Sequence, residues 1–532
     1  MRTDIIKLYK DIHTWVGICS GLALFIAFYA GAITMFEKQI NDWASPPSGI
    51  EAPLDLAETD RLLNATIEAY PEVKSSYQIH LYPSPSTPSS VMWHIPLEPE
   101  KGRRSKQAYY AASFAGDGTV LKTKLQKPEL AHFINILHQQ VGLPFSHEIA
   151  MPIMGVIALL YSLALVSGTI ILIPSLVKDL FLLRIGKNLK RMWLDVHNVL
   201  GIFSLPFHIV MALTSVIFAF HDQIYDTQNV VLYDNKIADL WATGTLKYPQ
   251  HPENTPLLAV PTLIEKLAVD APDFRPTILH YTTQPEKQTT LRIDGTDSRR
   301  LLRGPTYGIA NADPYTGELV GTGMMPGRQD GWGSALTSFF ALHFGGYGGI
   351  SVRWGYFFMG LAGAFLFYSG NLLWVESRRK KARRGANVEQ KKSTEFMGSL
   401  TVGVSLGSII GLSLTIAAAK WLHSFAGDLG AWHSGLYYIA FLAAIGVAFA
   451  MGAAKACVTL LHTAALTTLL IPLSSLIGLI TDNTPTFYNS STSALSFDFV
   501  AAIGSLCFAL MAKRASRRIA EGPTDSIWSA AS

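Results

Sequence analysis

The sequence predicts an α-helical integral membrane protein with about eight transmembrane helices, in which two small α+β modules are inserted into a duplicated four-helix core. Three observations lead there. Of the 532 residues, 49% are hydrophobic and only 15% charged, where a soluble chain carries about 25% charged residues. Eight apolar runs approach the roughly 20 residues that a helix needs to cross a bilayer, near 15–36, 150–174, 196–220, 353–375, 397–420, 433–453, 457–480 and 495–512. Asp11–Gly17, DIHTWVG, recurs as DVHNVLG at Asp195–Gly201, and each copy opens an apolar run.

Lys and Arg concentrate on the cytoplasmic side of membrane proteins. Arg2, Lys7 and Lys10 precede the first run, and Lys178, Arg184, Lys187, Lys190 and Arg191 fill the link between the second and third. SRRKKARRG (Ser377–Gly385), with Lys391 and Lys392, follows the fourth, and Lys513, Arg514, Arg517 and Arg518 follow the eighth. The short links around Asp428 and Asp482 carry no basic residue. Both termini are therefore expected to be cytoplasmic, and the basic run is a topology anchor rather than a nucleic-acid site. The AFYAGA run in the first span resembles a signal-peptide cleavage site, but the span is long and carries the repeated DIH element, so it is expected to be retained. Cys19, Cys457 and Cys507 all fall in apolar runs and are expected to be small buried hydrophobes; no CxxC, CxxCH or Cys/His zinc spacing occurs.

Taken in order, the chain divides into a first helix (1–36), an outer module (37–149), helices two and three (150–220), a second outer module (221–352), helix four (353–376), a basic link (377–396), an additional four-helix bundle (397–512) and a cytoplasmic tail (513–532). In the first module, LAETDRLLNATIEAY reads as an amphipathic helix ended by Pro71; SSYQIHLYP, VMWHIPLEP and QAYYAASFAGDGTVLKT read as strands with a turn at Gly116-Asp117-Gly118. The second repeats the plan, with PLLAVPTLIEKLAVDAP as the helix and TILHYTTQ, TTLRIDGT and YGIANADPYTGELVGT as strands.

The duplication carries histidines. His13 and His197 are 184 positions apart (197 − 13), Gly118 and Gly317 are 199 apart (317 − 118), and His138 and His343, each at the end of an apolar Leu-His segment, are 205 apart (343 − 138). Both halves start on the same face, which makes this a parallel repeat. A pseudo-twofold axis would oppose His13 to His197 at the cytoplasmic level and His138 to His343 at the outer level. Opposed histidines on facing helices are what a b-type haem takes as axial ligands, so two haems are expected. Gly17, Gly201, Gly142 and Gly345 would let a flat macrocycle approach the backbone. His208 breaks the symmetry, since its counterpart is Leu24. On an uninterrupted helix it lies eleven residues and about 16.5 Å beyond His197 on roughly the same face, and it competes as a ligand, a member of a separate site or a propionate partner.

The remaining histidines read otherwise. His80, His94, His251 and His280 are expected at the module surfaces, His132 and His147 at an interface, and His221 in solvent. His423, His433 and His462 lie in or beside the additional helices and mark a quinol site or a further cofactor, without support from the repeat. Trp332, Phe339, Phe340 and Tyr347 would shield the outer haem, contact substrate or simply pack. GGYGG (Gly345–Gly349) is no phosphate loop, because no Lys-Ser/Thr follows; no nucleophile elbow, HExxH or dinucleotide fingerprint is present.

DIHTWVG and DVHNVLG, LHQQVG and LHFGGYGG, and the turn ADPYTGELVG, in this order over about residues 1–376, resemble the PepSY-associated transmembrane family. Its members include haem-containing ferric-siderophore reductases of the bacterial inner membrane, with four spans and two periplasmic PepSY-like modules. The resemblance implies that His13, His197, His138 and His343 are haem-iron ligands. It also implies that electrons, drawn from a cytoplasmic reductant or a membrane quinol, reach a ferric siderophore or other iron chelate in the periplasm. The four helices of 397–512 depart from that plan. The other readings are a PepSY-bearing regulatory or binding protein without a cofactor, and a transporter; against the latter, the additional spans lack the buried acidic residues that ion coupling needs.

Overall fold

In the computed structural model, residues 3–51, 55–97, 107–176, 183–184, 188–236, 246–283, 288–380, 389–522 and 525–529 are described. The basic residues Arg2, Lys178, Lys187 and Lys381–Gly385 lie outside them. The chain forms two units, one from residues 1–46, 129–224 and 354–532, the other from 47–128 and 225–353.

The first unit is helical. In chain order it contains α1 (Thr3–Thr34), the short α2 (Glu37–Ala44), α4 (Leu130–Gln139) and α5 (His147–Leu172); α3 belongs to the other unit. Next come α6 (Leu189–Phe203) and α7 (Leu205–Val231), which runs on past the unit boundary at residue 224. Most of α10 (Gly349–Arg378) follows, then α11 (Lys392–Leu422), α12 (Leu429–Ile480) and α13 (Thr492–Glu521). Among the described residues, seven of these helices are long and apolar enough to cross a membrane. The longest has 52 residues and is two helices joined at Gly452, whose φ of +74° and ψ of 159° are not helical. Only glycine adopts that backbone without strain, and it divides the segment where the apolar runs 433–453 and 457–480 meet.

The third apolar run departs from expectation. It is interrupted at Ser204, which ends α6 with φ −94° and ψ 4° before α7 starts at Leu205. Pro206 explains this: it has no N–H for the carbonyl four residues back, and its fixed φ suits a helix start. The uninterrupted-helix spacing between His197 and His208 therefore does not hold.

In the additional bundle, Gly403, Gly407 and Gly411 recur every fourth residue of α11. A Cβ on them would come within 2.9–3.0 Å of Ile445 Cα, the Phe441 carbonyl and Tyr437 on α12. Small residues at this spacing let helix backbones approach in lipid, where close packing rather than water exclusion drives association. Cys19 and Cys507 sit on exposed helix faces and Cys457 is half-buried, so the expectation of three buried thiols is corrected.

The second unit holds both modules, and they are joined. α3 (Leu56–Ala69) starts at Asp55, whose carboxylate accepts the Glu58 N–H at 2.7 Å, and stops before Pro71. α8 (Val260–Asp270) is its counterpart. β1 (Ser76–His80), β2 (Val91–Pro96), β3 (Gln107–Phe114) and β4 (Val120–Leu125) form one antiparallel meander; β5 (Arg275–Thr283), β6 (Thr289–Thr296), β7 (Gly308–Ala312) and β8 (Leu319–Gly321) form the other. They meet at β1 and β5, which pair antiparallel with Ser76 opposite Thr282 and Ile79 opposite Leu279, giving one eight-stranded sheet in the order β4-β3-β2-β1-β5-β6-β7-β8. Two separate sheets were expected; each meander has instead covered the other's exposed edge, the usual liability of an open sheet.

Burial follows the strand period of two. Tyr77 and Ile79, Leu279 and Tyr281, Leu291 and Ile293 point into a core shared with Leu62, Leu63, Leu263 and Leu267 of the two helices. Tyr77 and Tyr281 stack across the seam, 4.7 Å between ring centres, and Asp60 of α3 accepts the Val260 N–H at the start of α8 at 3.0 Å. Gly118 and Gly317 occupy equivalent turns with φ of +83° and +79°. α9 (Gly331–Phe344) completes the unit and ends at Gly345, whose left-handed φ of +65° lets its N–H reach the Ala341 carbonyl.

The histidines of this unit are less exposed than expected. His80 is buried, at 6% exposure; His251 contacts the buried Asp313 at 2.7 Å and His280 contacts Asp294 at 3.1 Å. His94 is half-buried, and burial first, then the charges of Lys127 and His280, hold its pKa below the usual 6.5. The unfolded chain takes up this proton near 6.5 while folded His94 stays neutral to lower pH. Its contribution is therefore present above that value and declines as pH falls through the lower, folded pKa. The unfolding temperature of the protein should fall as pH is lowered from neutral through and below His94's unfolded value, and H94Q should reduce that fall; an identical pH profile in H94Q would discount His94 as a cause.

Candidate functional site

The histidines of the helical unit share one local construction. His13 on α1 donates its Nδ1–H to the Ala164 carbonyl of α5 at 2.8 Å, with Ser167 Oγ at 3.4 Å. His197 on α6 shares its Nδ1–H between the Leu366 carbonyl and Ser369 Oγ of α10, both at 3.2 Å. His138 on α4 donates Nδ1–H to the Ala27 carbonyl of α1 at 2.8 Å. A carbonyl can only accept, so Nδ1 carries the proton in each case. The neutral ring then carries its lone pair on Nε2, the nitrogen through which an imidazole held in this way binds a metal.

Each accepting carbonyl has a glycine four residues on. A Cβ at Gly168 would come within 2.8 Å of His13 Cε1, at Gly370 within 3.3 Å of His197 Cε1, and at Gly31 within 2.7 Å of His138 Nδ1. The reason is helical geometry. The carbonyl of residue n points along the axis toward n+4, and the Cβ of n+4 leans back over it. Without that Cβ, the carbonyl accepts a second hydrogen bond from outside the helix. The three seats are Ala27–Gly31 (AFYAG), Ala164–Gly168 (ALVSG) and Leu366–Gly370 (LFYSG). The second and third are repeat mates, 202 positions apart (366 − 164). The run that resembles a cleavage site is thus the seat of His138.

His13 and His197 are brought together. Their ring centres lie 6.1 Å apart with planes inclined at 70°, one imidazole from each half of the duplication. A Cβ on Gly17, one turn along from His13, would meet no atom within 4 Å, and one on Gly201 would meet only Leu366 at 3.9 Å. Gly142 and Gly345 have another role than the expected close approach. Both are left-handed, at φ +74° and +65°, in the turns that end α4 and α9.

Two residues before His197, Asp195 is 3% exposed and grips Arg184 through both carboxylate oxygens, at 2.6 and 2.7 Å. That pair ties the link before α6 to the helix carrying His197. Its repeat mate Asp11 is exposed.

His208 is 1% exposed and is built differently. Its Nδ1 lies 2.5 Å from the Tyr161 hydroxyl, which also donates to the His208 carbonyl at 3.1 Å, while Nε2 is buried without a hydrogen-bond partner. The ring sits among Phe28, Phe207 and Phe367. Phe28 directly follows Ala27 and Phe367 directly follows Leu366, and their rings are 5.1 Å apart. The seats of His138 and His197 are therefore joined through one aromatic cluster around Tyr161 and His208. His343 belongs to the other unit, in the last turn of α9. There Phe340 lies under the Arg303 guanidinium at 3.2 Å and Trp332 is 77% exposed.

A family model described as PepSY-associated TM region matches residues 11–377. The chain belongs to this family. The match takes in both halves of the duplication and stops before the additional helices, so all five histidines above lie in the PepSY-associated part and α11, α12 and α13 do not. No curated protein matches the chain.

Sequence reasoning found the histidines and missed their seats. The signal was available as a small residue four positions after a carbonyl on another helix, repeated as ALVSG and LFYSG, but nothing local to the histidines points to it.

Proposed function

We propose that this multi-pass membrane protein is a di-haem b electron-transfer protein of the bacterial inner membrane, which reduces ferric siderophores or other ferric chelates in the periplasm and releases ferrous iron. The observation that carries the reading is the opposed pair His13 and His197. An imidazole–metal–imidazole axis with bonds of about 2.0–2.1 Å separates ring centres by about 6 Å, and these two are 6.1 Å apart. Among the described residues no group of three or more His, Cys, Asp or Glu side chains gathers. A metal held by side chains alone would need such a group, whereas a porphyrin brings four donors and asks the protein for two. The open space beside Gly17 and Gly201 suits a flat ring.

Bound haem supplies one-electron exchange between ferric and ferrous iron. The protein's own groups do the rest. The Ala164 and Leu366 carbonyls hold the two rings as Nδ1–H tautomers and raise the basicity of Nε2. His138 is held in the same way for the second group. His208 and His343 are the two candidates for its partner ligand. The unpartnered Nε2 favours His208, as does Ser215, which replaces glycine in the repeat copy of the Ala27–Gly31 seat. The Phe28–Phe367 contact shortens the path between the two groups. From the basic links we take both termini to be cytoplasmic and the joined sheet to be periplasmic, where the chelate would bind. Ferrous iron is held less tightly by hard oxygen donors, which is how reduction frees it.

A visible spectrum of the purified protein tests this. A Soret band, and an α-band on reduction, are expected at two haems per chain, with H208A and H343A deciding which variant loses the second. A colourless protein at full occupancy of the membrane would end the redox reading in favour of the cofactor-free regulatory one.

A further inference from the structure

The additional helices contain one buried imidazole that nothing in the duplicated core accounts for. His433, near the start of α12, is 1% exposed, and neither ring nitrogen has a hydrogen-bond partner. A buried polar group left without partners costs about 1–3 kcal/mol, and native proteins rarely keep one unless something else occupies it. Its ring lies 6.2 Å from Phe133 of α4, inclined at 43°, and Tyr437 follows one turn later, itself 5.7 Å from Phe133. The surroundings of the ring are thus aromatic, and the imidazole itself offers both an N–H and a lone pair.

We propose that His433, with Phe133 and Tyr437, binds a membrane quinol and takes its protons as it is oxidised. Three features select this class of ligand. His433 lies on α12, which is long and apolar enough to cross a membrane, so the ligand sought is a lipid-soluble one. The flanking rings suit a flat aromatic head group. An imidazole's donor and acceptor match the hydroxyl of a quinol and the carbonyl of the quinone it becomes. The site also adjoins the proposed electron acceptor: Phe133 and His138 lie five residues apart on α4, about 7.5 Å along the helix axis. The oxidation balances. The quinol loses two electrons and two protons: each O–H proton passes to His433 and on to water, quinone departs, and a haem held by His138 would accept the two electrons one at a time. This rests on the haem reading above and names its electron donor.

The test uses the full-length protein in nanodiscs, with decyl-ubiquinone as the binding probe and decyl-ubiquinol as the reductant. Equilibrium binding of decyl-ubiquinone, which needs no haem, is expected for the wild type and H433Q and lost in H433L. Stopped-flow reduction of the α-band by decyl-ubiquinol should slow about a hundredfold in both variants, because Gln keeps a hydrogen bond but accepts no proton, while dithionite reduces all three alike. A wild type that binds no quinone, or variants reduced at the wild-type rate, overturns the proposal. If H433L does not fold, the rate in H433Q decides. A colourless wild type that binds quinone through His433 sinks the haem reading and leaves the quinone site standing.

Discussion

Replacing His13 or His197 with Ala should remove one of the two proposed haems and, with it, the chelate reduction that a cytoplasmic reductant drives. On the proposed reading each imidazole is one axial ligand of a pair whose rings lie 6.1 Å apart, and neither has a substitute: among the described residues no further ligating side chain joins them in a cluster. Haem content per chain, read from the pyridine haemochrome, should fall from two to about one in either variant and in the double variant alike, since the two residues act as one unit. Chelate reduction driven by a reductant on the cytoplasmic side of membrane vesicles should fall to background, whereas reduction by quinol, which enters at His138, should persist. Unchanged haem content in H13A would refute the pairing. Equal growth and equal reduction with haem lost would show that the electron path bypasses it.

Enlarging a glycine should have nearly the same effect as deleting the ligand. A Cβ at Gly168 falls 2.8 Å from His13 Cε1, closer than carbon atoms approach, and the neighbour is a ring wedged against its own hydrogen-bond acceptor. The extra branches of valine cannot be accommodated unless the imidazole leaves the Ala164 carbonyl. G168V therefore keeps His13 but loses its orientation. Outer-shell changes of this kind cost about 10–100-fold in affinity for the bound metal, so haem at this position should be lost on washing or shift to a five-coordinate spectrum. Gly435 of α12 is the control, because its Cβ would meet no atom within 4 Å; G435A should bind two haems and be slightly more stable, as alanine suits a helix better than glycine. A full, six-coordinate spectrum in G168V would show that the seat does not hold the ring.

Much of the architecture can be read from local pattern. The apolar runs became helical, although α1 starts at Thr3 rather than near 15 and the third run is divided between α6 and α7 and continues to Val231; the amphipathic stretches before Pro71 and Pro272 became α3 and α8, because composition and breakers act where they stand in the chain. What stayed hidden depends on distant partners. The pairing of β1 with β5 joins residues about two hundred positions apart, and neither strand advertises it beyond leaving an edge uncovered. The three glycine seats are likewise properties of the helix opposite each histidine. The interruption at Ser204 was legible, since Pro206 stands inside the run; treating the segment as unbroken ignored it. The additional helices gave a histidine with no repeat mate, and only its burial without partners sets His433 apart from the exposed His462.

The seam between β1 and β5 has a history written into it. Two antiparallel strands meeting edge to edge are self-complementary, the kind of contact that identical subunits make about a twofold axis. A single half of this chain would present the same edge to another copy, and a two-subunit ancestor held in this way would carry every ligand twice or not at all. Linking the halves in one polypeptide lifts that constraint. One side is then free to acquire His208 while the other keeps Leu24, so a single position can be specialised in one half without being copied in the other.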